Sequence, residues 1–447
     1  MKPHPSFGEA FRFWLKLGFI SFGGPTGQIA IMHTELVEQR RWIGEQRFLH
    51  ALNYCMLLPG PEATQLATYC GWLLHGTWGG IVAGVLFVLP AALLLWLLSY
   101  IYVAFGQIAW IAALFGGLKP AVTAIVAAAT IRIGQRALKT RPMWLLAAVS
   151  FVALFVFEVP FPAIVAGAAA MGWLGGWFWP AAFTTATGPV GASSGTVVDD
   201  AQTTVDHARP TFARALRVSA VCLALWWTPV IVAALAQGWS GTLARQGLFF
   251  SKAAMVTFGG AYAVLPYVGQ QAVDSYQWLT APQMLDGLGL AETTPGPLIM
   301  VVQFVGFLGG WNHPGALSPL LSATLAAALT TWTTFVPCFY WISLGAPYIE
   351  RMRGNVAVNR TLTAVTAAVV GVVANLAVWF AQHALFPGFK FTSENSADGY
   401  RLHYQLGADV FSIAVAIAAF VALHRFRVGL VPVIAACAAV GLVRHLL

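Results

Sequence analysis

Charge is scarce in this chain. Of its 447 residues, 9% are Asp, Glu, Lys or Arg, against about 25% in an ordinary soluble domain. Hydrophobic residues make up 58%, and mean hydropathy is +0.73. Many apolar runs approach the roughly 17–25 residues a helix needs to cross a bilayer. A soluble globular class is excluded. Paired cysteines are missing too. Cys55, Cys70, Cys222, Cys338 and Cys437 stand singly in apolar runs, with no C-x-x-C, which argues against a disulfide framework or zinc site and for small buried hydrophobes. There is no H-E-x-x-H, no G-x-S-x-G and no clustered His/Asp set, so neither an enzyme, nor a metal site, nor a cofactor is expected. The N-terminus, MKPHPSFGEAFRFWLKLG, interrupts its apolar residues with charge and shows no cleavage site, so its first segments are read as part of the mature protein. The net charge of +8 comes without any aromatic-interleaved basic patch. It suggests cytoplasmic loops of a membrane protein rather than nucleic-acid binding.

What is present is a repeat. Shifted by 236 positions, residues 13–61 meet 249–297 with twelve identities in 49 positions, where chance gives roughly three or four. Phe13, Lys16, Phe22-Gly23-Gly24, Trp42 and Pro59-Gly60-Pro61 fall on Phe249, Lys252, Phe258-Gly259-Gly260, Trp278 and Pro295-Gly296-Pro297. Two homologous halves are read, about 1–185 and 210–447, with a polar linker at 186–209. Matched loops carry opposite charge. Arg40, Arg41 and Arg47 lie at 33–47, but 269–283 has only Asp274. Residues 132–141 are basic and 386–407 near neutral. The order reverses at 106–109 against Arg351, Arg353 and Arg360, and at Glu158 against Arg425 and Arg427. By the positive-inside rule the halves have opposite orientation. The expected fold is an all-α polytopic membrane protein with an inverted-topology repeat. Full spans are expected at about 80–105, 112–131, 143–158, 161–180, 213–236, 316–345, 357–383, 407–424 and 428–446. The N-terminus is then inside and the C-terminus outside. Such repeats are typical of secondary transporters, with the substrate near the midplane.

Four shorter apolar pieces remain, 48–58, 62–75, 284–293 and 297–310, each pair split by P-G-P. They read either as half-helices meeting in the membrane or as short tilted spans, which would make thirteen crossings. A helix starting at membrane depth presents free amides and the positive end of its dipole, a place for an anion. Thr64 and Gln65, and Thr293 and Thr294, add neutral donors. The F-G-G breaks, at Ser21-Phe22-Gly23-Gly24 and Thr257-Phe258-Gly259-Gly260, open the backbone to a ligand. Lys16 and Lys252 precede these breaks symmetrically, with Arg12 one turn before Lys16, and are read as cations for a divalent anion. Glu62 and Glu292, beside the P-G-P motifs, are candidate proton-coupling carboxyls. Gln28, Asn53 and Gln303 are candidate neutral contacts. Gly80/Gly84 and Gly172/Gly176 permit a homodimer.

The run FISFGGPTGQIAIMHTELVEQRRWIGEQRFLHALNYCMLLPGPEATQLATYCG closely resembles the signature of the chromate ion transporter superfamily: F-G-G-P, R-W-x-x-x-x-x-F, then P-G-P-x-x-T-Q-x-A. The second half departs from it, with FGGA and PGPLIM. The resemblance covers both halves, as in the long two-domain type. It implies export of chromate across the cytoplasmic inner membrane, resistance to chromate and drive by the proton-motive force. Sulfate, a similar tetrahedral dianion, would suit the same donors; it is the expected competitor, and a transporter of sulfate or another oxyanion is the alternative within transport. An oxyanion channel remains the alternative to a transporter.

Overall fold

The computed structural model describes residues 4–22, 24–56, 58–106, 108–157, 159–178, 211–258, 261–349, 356–386, 390–396, 399–405 and 409–446. The expected linker 186–209, together with Glu158, Arg351 and Arg353, lies outside the described residues.

The first half begins with α1 (Phe7–Ile20), which stops at the F-G-G break. α2 (Gly24–His33) follows and passes into a π-helical turn, Thr34–Gln39. α3 (Glu45–Cys55) then leads to the first P-G-P. The second half repeats the order. α9 (Thr242–Val256) and α10 (Ala261–Gln270) flank the other F-G-G, a π-helical turn follows at Gln271–Ser275, and α11 (Ala281–Thr293) leads to the second P-G-P. The repeat holds at the level of single bonds. The Trp42 amide donates to Leu36 O and the Trp278 amide to Ala272 O, both at 2.8 Å. Arg41 and Gln277 both take positive φ, 54° and 53°. Trp42 packs edge-on to Phe13 at 5.3 Å and Trp278 to Phe249 at 5.6 Å. The aromatic identities seen in the sequence are therefore the pins that hold each π-helical turn against its first helix.

After each P-G-P comes a helical hairpin. In the first half it spans Glu62–Phe105 (α4), whose backbone leaves the helix at His75 and at Gly76, where φ is 60°. Residues 68–72 lie against 79–84, with Gly71 facing Gly79 and Ala83, and Gly80 facing Thr68 and Trp72. The chain thus doubles back, and glycine lets the two arms approach backbone to backbone. In the second half the same hairpin is a 3-10 turn (Leu298–Met300) leading into α12 (Val301–Asn312), a loop, and α13 (Pro319–Ile349).

The remaining helices are α5 (Ala109–Ala137), α6 (Arg141–Phe155) and α7 (Phe161–Phe178). Their counterparts are α14 (Val356–Leu385), α15 (Val410–His424) and α16 (Leu430–Leu446), while α8 (Phe212–Gln237) stands between the halves. These helices exchange partners: α5 packs on α15 and α16, and α14 packs on α6 and α7. Small residues allow it. Gly117 meets Gly441, and Gly172 meets Ala364. Gly80, Gly84 and Gly172 are thus used inside one chain, Gly84 against Phe339, so they offer no face for a second copy.

A described helix overlaps each of the nine expected stretches. Among the described residues, five helices are long and apolar enough to cross a membrane: those at Glu62–Phe105, Ala109–Gln135, Phe212–Gln237, Pro319–Tyr348 and Thr363–Leu385. Large apolar side chains face outward, among them Leu93, Trp144, Leu145, Leu235 and Ile417, a surface suited to lipid and not to water. The chain is an integral membrane protein. One segment differs from an all-helical reading. Within the loop expected at 386–407, β1 (Lys390–Ser396) and β2 (Gly399–Gln405) pair antiparallel, Lys390 opposite Gln405. Tyr400, Leu402 and Tyr404 carry a strand period within a stretch that is polar overall.

Candidate functional site

The two P-G-P loops meet the two F-G-G breaks, each from the opposite half. The Gly60 amide donates to the Thr257 carbonyl at 2.7 Å, and the Gly296 amide donates to the Ser21 carbonyl at 2.8 Å. Gly60 has φ 123° and Gly296 φ 100°, a backbone that an L side chain takes only with strain. A β-carbon at Gly296 would lie 2.6 Å from Ala91 Cβ, and one at Gly60 2.9 Å from Cys338 Sγ. Both glycines are therefore required by local geometry, and their amides bind the halves together.

Around this crossing the halves differ. In the first, Gln28 donates to the Gly296 carbonyl and Gln65 donates to the Pro59 carbonyl at 2.9 Å. Gln28 Oε1, Gln65 Oε1 and the Thr64 hydroxyl are buried with no partner among the described residues. Pro61 caps α4 without a side-chain bond, so the first amides of that helix have no intrahelical acceptor. In the second half Val264, Met300 and Val301 stand at the positions of Gln28, Thr64 and Gln65. Thr293 and Thr294 donate their hydroxyl protons to Leu290 O and Ala291 O of their own helix, at 2.7 and 2.9 Å. Gln303 donates to Ala92 O at 2.7 Å and accepts from Thr331 at 2.9 Å. Ser21 and Thr257 likewise bond back to Leu17 O and Ala253 O. Pro59, Pro61, Pro295 and Pro297 frame the loops. Phe22 is exposed and Phe258 half-buried. Gly24 starts α2 with φ 67°. Gly23, Gly259, Gly260 and the Asn53 side chain lie outside the described residues.

None of the expected cations bonds to this crossing among the described residues. Lys16 is exposed and bound to Glu35 at 3.2 Å, and Glu35 also accepts from Arg40. Arg12, Lys16, Arg40 and Glu9 line a cavity of about 400 Å³. Lys252 is exposed. Of the two candidate carboxyls, Glu62 is half-buried with no bond to it among the described residues. Glu292 is buried, accepts from the Tyr262 hydroxyl and feels the positive charge of Arg132.

The geometry is that of a buried polar seam between two repeats, richest in donors on one side. Residues 8–173 and 245–442 both match the family described as chromate transporter. The chain belongs to that family. It is 28% identical to a chromate transport protein of Cupriavidus metallidurans over 385 residues, 84% of this chain and 83% of the relative. It is 32% identical to a chromate transport protein of Pseudomonas aeruginosa over 387 residues, 85% and 82% of the two chains. A probable chromate transport protein of Synechococcus elongatus is 27% identical over 385 residues, 86% and 87%. No solved structure matches the chain.

For a member of this transporter family, one buried cluster escaped the sequence reading. Asp286 of α11, almost fully buried, accepts from the Tyr102 hydroxyl at 2.9 Å and lies 3.6 Å from Lys119 Nζ. The signal was available. Lys119 and Asp286 are lone charges in apolar stretches, LFGGLKPAV and QMLDGLGL, and a charge inside a span asks for a partner.

Proposed function

We propose that the protein exports chromate from the cytoplasm across the inner membrane, driven by the proton-motive force, and so confers chromate resistance. The observation that carries the location of the site is the reciprocal pair of hydrogen bonds, Gly60 to Thr257 and Gly296 to Ser21. It makes the seam a joint held equally by both halves. A change in the tilt of one half against the other must break or reform those bonds, which is what alternating access needs at a midplane site.

An inverted relation of the halves, about 1–185 and 210–447, is part of the proposal. The His75 ring bonds Pro5 O at 3.0 Å, so the first hairpin turns at the N-terminal end. Thr242 bonds His313 O at 2.9 Å, so the second hairpin turns where α9 begins. The 26-residue α8 separates α9 from the first half by one crossing. The P-G-P tips then approach each other from opposite sides, with the N-terminus inside and the C-terminus outside.

Chromate is a tetrahedral dianion. The Thr64 hydroxyl and the first-turn amides of α4 donate to its oxygens, as expected at a helix N-terminus. Pro59, Gly60, Pro61 and Gln65 shape this side with Thr257 and Phe258, and Ser21, Phe22, Gly24, Gln28 and Thr293 to Pro297 shape the other. Lys16, Lys252 and Arg12, exposed as they are, draw the anion inward at longer range rather than hold it. Glu62 and Glu292 are the carboxyls proposed to couple proton movement. The test is uptake of labelled chromate into everted vesicles, with sulfate in competition. Saturable accumulation against a gradient, weakened by Thr64→Val, is expected. Uptake that only equilibrates describes a channel, and sulfate accumulating in preference to chromate reassigns the substrate.

A further inference from the structure

A second cavity, of about 430 Å³, opens where α5 begins and where α14 and α16 end. Lys119, His383, Asp409, Arg444 and His445 line it. Asp409 is spoken for. It caps α15, accepts from Ser412 at 2.7 Å and lies 3.5 Å from Arg444. Lys119 is different, because it reaches from the cavity to a carboxyl behind it. Its ammonium is 3.6 Å from Asp286 Oδ2, which also takes the Tyr102 hydroxyl, while Asp286 Oδ1 is buried with no partner among the described residues. A carboxylate oxygen enclosed in this way is costly to keep charged, and a proton is the smallest ligand that removes the cost.

We propose that Asp286 is the proton-binding site through which the outer compartment drives transport, with Lys119 as its charge partner at the foot of the cavity. The assignment rests on the proton-coupled reading above and names where the proton enters. A hydronium ion reaching the cavity from the outer compartment gives its proton to the Asp286 carboxylate, leaving water and forming the neutral acid. The same proton returns to water when the carboxylate reforms. No other bond is made or broken. Of the charged and titratable groups on the elements packed against α11, Tyr102 of α4 and Lys119 of α5 reach Asp286. The same elements also carry Glu62, Tyr69, Cys70, His75 and Tyr100 on α4, Arg132 and Arg136 on α5, Arg360 and His383 on α14, and Cys437, Arg444 and His445 on α16, with Asp409 across the cavity. α12 carries none.

Protonation reaches the substrate seam through α11. The carboxylate ties α11 to both α4 and α5, across the two halves. Neutralising it removes the Coulomb attraction to Lys119. α11 runs directly into Thr294, Pro295 and Gly296, whose amide makes one of the two bonds of the crossing. Glu292 lies six residues further along the same helix, about 9 Å at 1.5 Å per residue. A proton at Asp286 therefore loosens the element that closes the second P-G-P against Ser21.

The experiment uses the full chain in proteoliposomes and reads the ratio of chromate flux with a pH gradient to flux without one. For the unaltered protein the ratio is expected well above one. Asp286→Asn is expected to bring it to about one, and so is the double variant Asp286→Asn/Lys119→Met, which has no unpaired buried charge. Recovery of the ratio in the double variant would mean that Asp286 serves only as a structural ion-pair partner, and would overturn the proposal. So would a ratio in Asp286→Asn equal to that of the unaltered protein. Should Asp286→Asn fail to reach the membrane, Asp286→Glu is read instead. A displaced pH profile supports the assignment and an unchanged one overturns it. If the unaltered protein itself ignores the gradient, proton coupling falls and this assignment falls with it. If only the variants behave otherwise than stated, coupling stands and Asp286 is excluded.

Discussion

The two P-G-P crossings share one backbone and differ in side chains. Gly60 and Gly296 make the same bond to opposite halves, with the same sign of φ. Yet Thr64 and Gln65, with unsatisfied polar atoms, follow the first loop, while Met300 and Val301 follow the second, whose threonines are already bonded and whose Gly296 carbonyl takes the Gln28 amide. In the proposal above, the shared part serves as the hinge and the differing part as the binding surface: a duplicated fold needs both loops to close, but only one needs to recognise the ion.

The comparison breaks first if its shared part is dispensable. Gly296→Ala places a β-carbon 2.6 Å from Ala91 Cβ on a packed helix and forces an L residue to φ 100°. It is expected to abolish transport and to lower the amount of folded protein, read by fluorescence-detected chromatography. Gly60→Ala is expected to do the same less severely, because its neighbours are the side-chain ends of Cys338 and Gln65. The differing part comes next. Thr64→Val removes a hydrogen bond to a charged ligand, worth about 1.5–3 kcal/mol, so chromate uptake at low concentration should fall about 10- to 100-fold. Thr294→Val, whose hydroxyl already serves Ala291, should change it less than about threefold. Gln65→Val, which copies the second half, is expected to cost about threefold to tenfold in uptake while the protein still inserts, since the bond lost is a neutral one to Pro59. The smallest effect belongs to the exposed lysines. Lys16→Ala and Lys252→Ala should each weaken uptake about twofold, less at high salt, as exposed charges do.

Much of this was legible in the sequence because it rests on residues with few substitutes. Glycine and proline mark where helices must stop, and they placed the breaks at 21–24, 59–61, 257–260 and 295–297. Trp42 and Trp278, with Phe13 and Phe249, marked the repeat because each pins a π-helical turn. The long apolar runs carry helix among the described residues for the ordinary reason that no other strand-free structure satisfies the backbone in lipid. What stayed hidden was long-range pairing. Nothing local says that α5 will leave its own half to pack on α15 and α16, that Lys119 will find Asp286, or that Lys16 will be held by Glu35. The role of the two glycine amides was also out of reach. Sequence shows that Gly60 and Gly296 open the backbone, but only the folded chain shows that each amide goes to a carbonyl of the other half.

The central claim is the place of the ion. Crystals of the protein grown with chromate and measured at the chromium absorption edge would locate it by its anomalous signal. The account predicts a peak between loops 59–61 and 295–297, within hydrogen-bonding distance of the Thr64 hydroxyl. A peak confined to the cavity of Arg12, Lys16 and Arg40, with none at the loops, would contradict it.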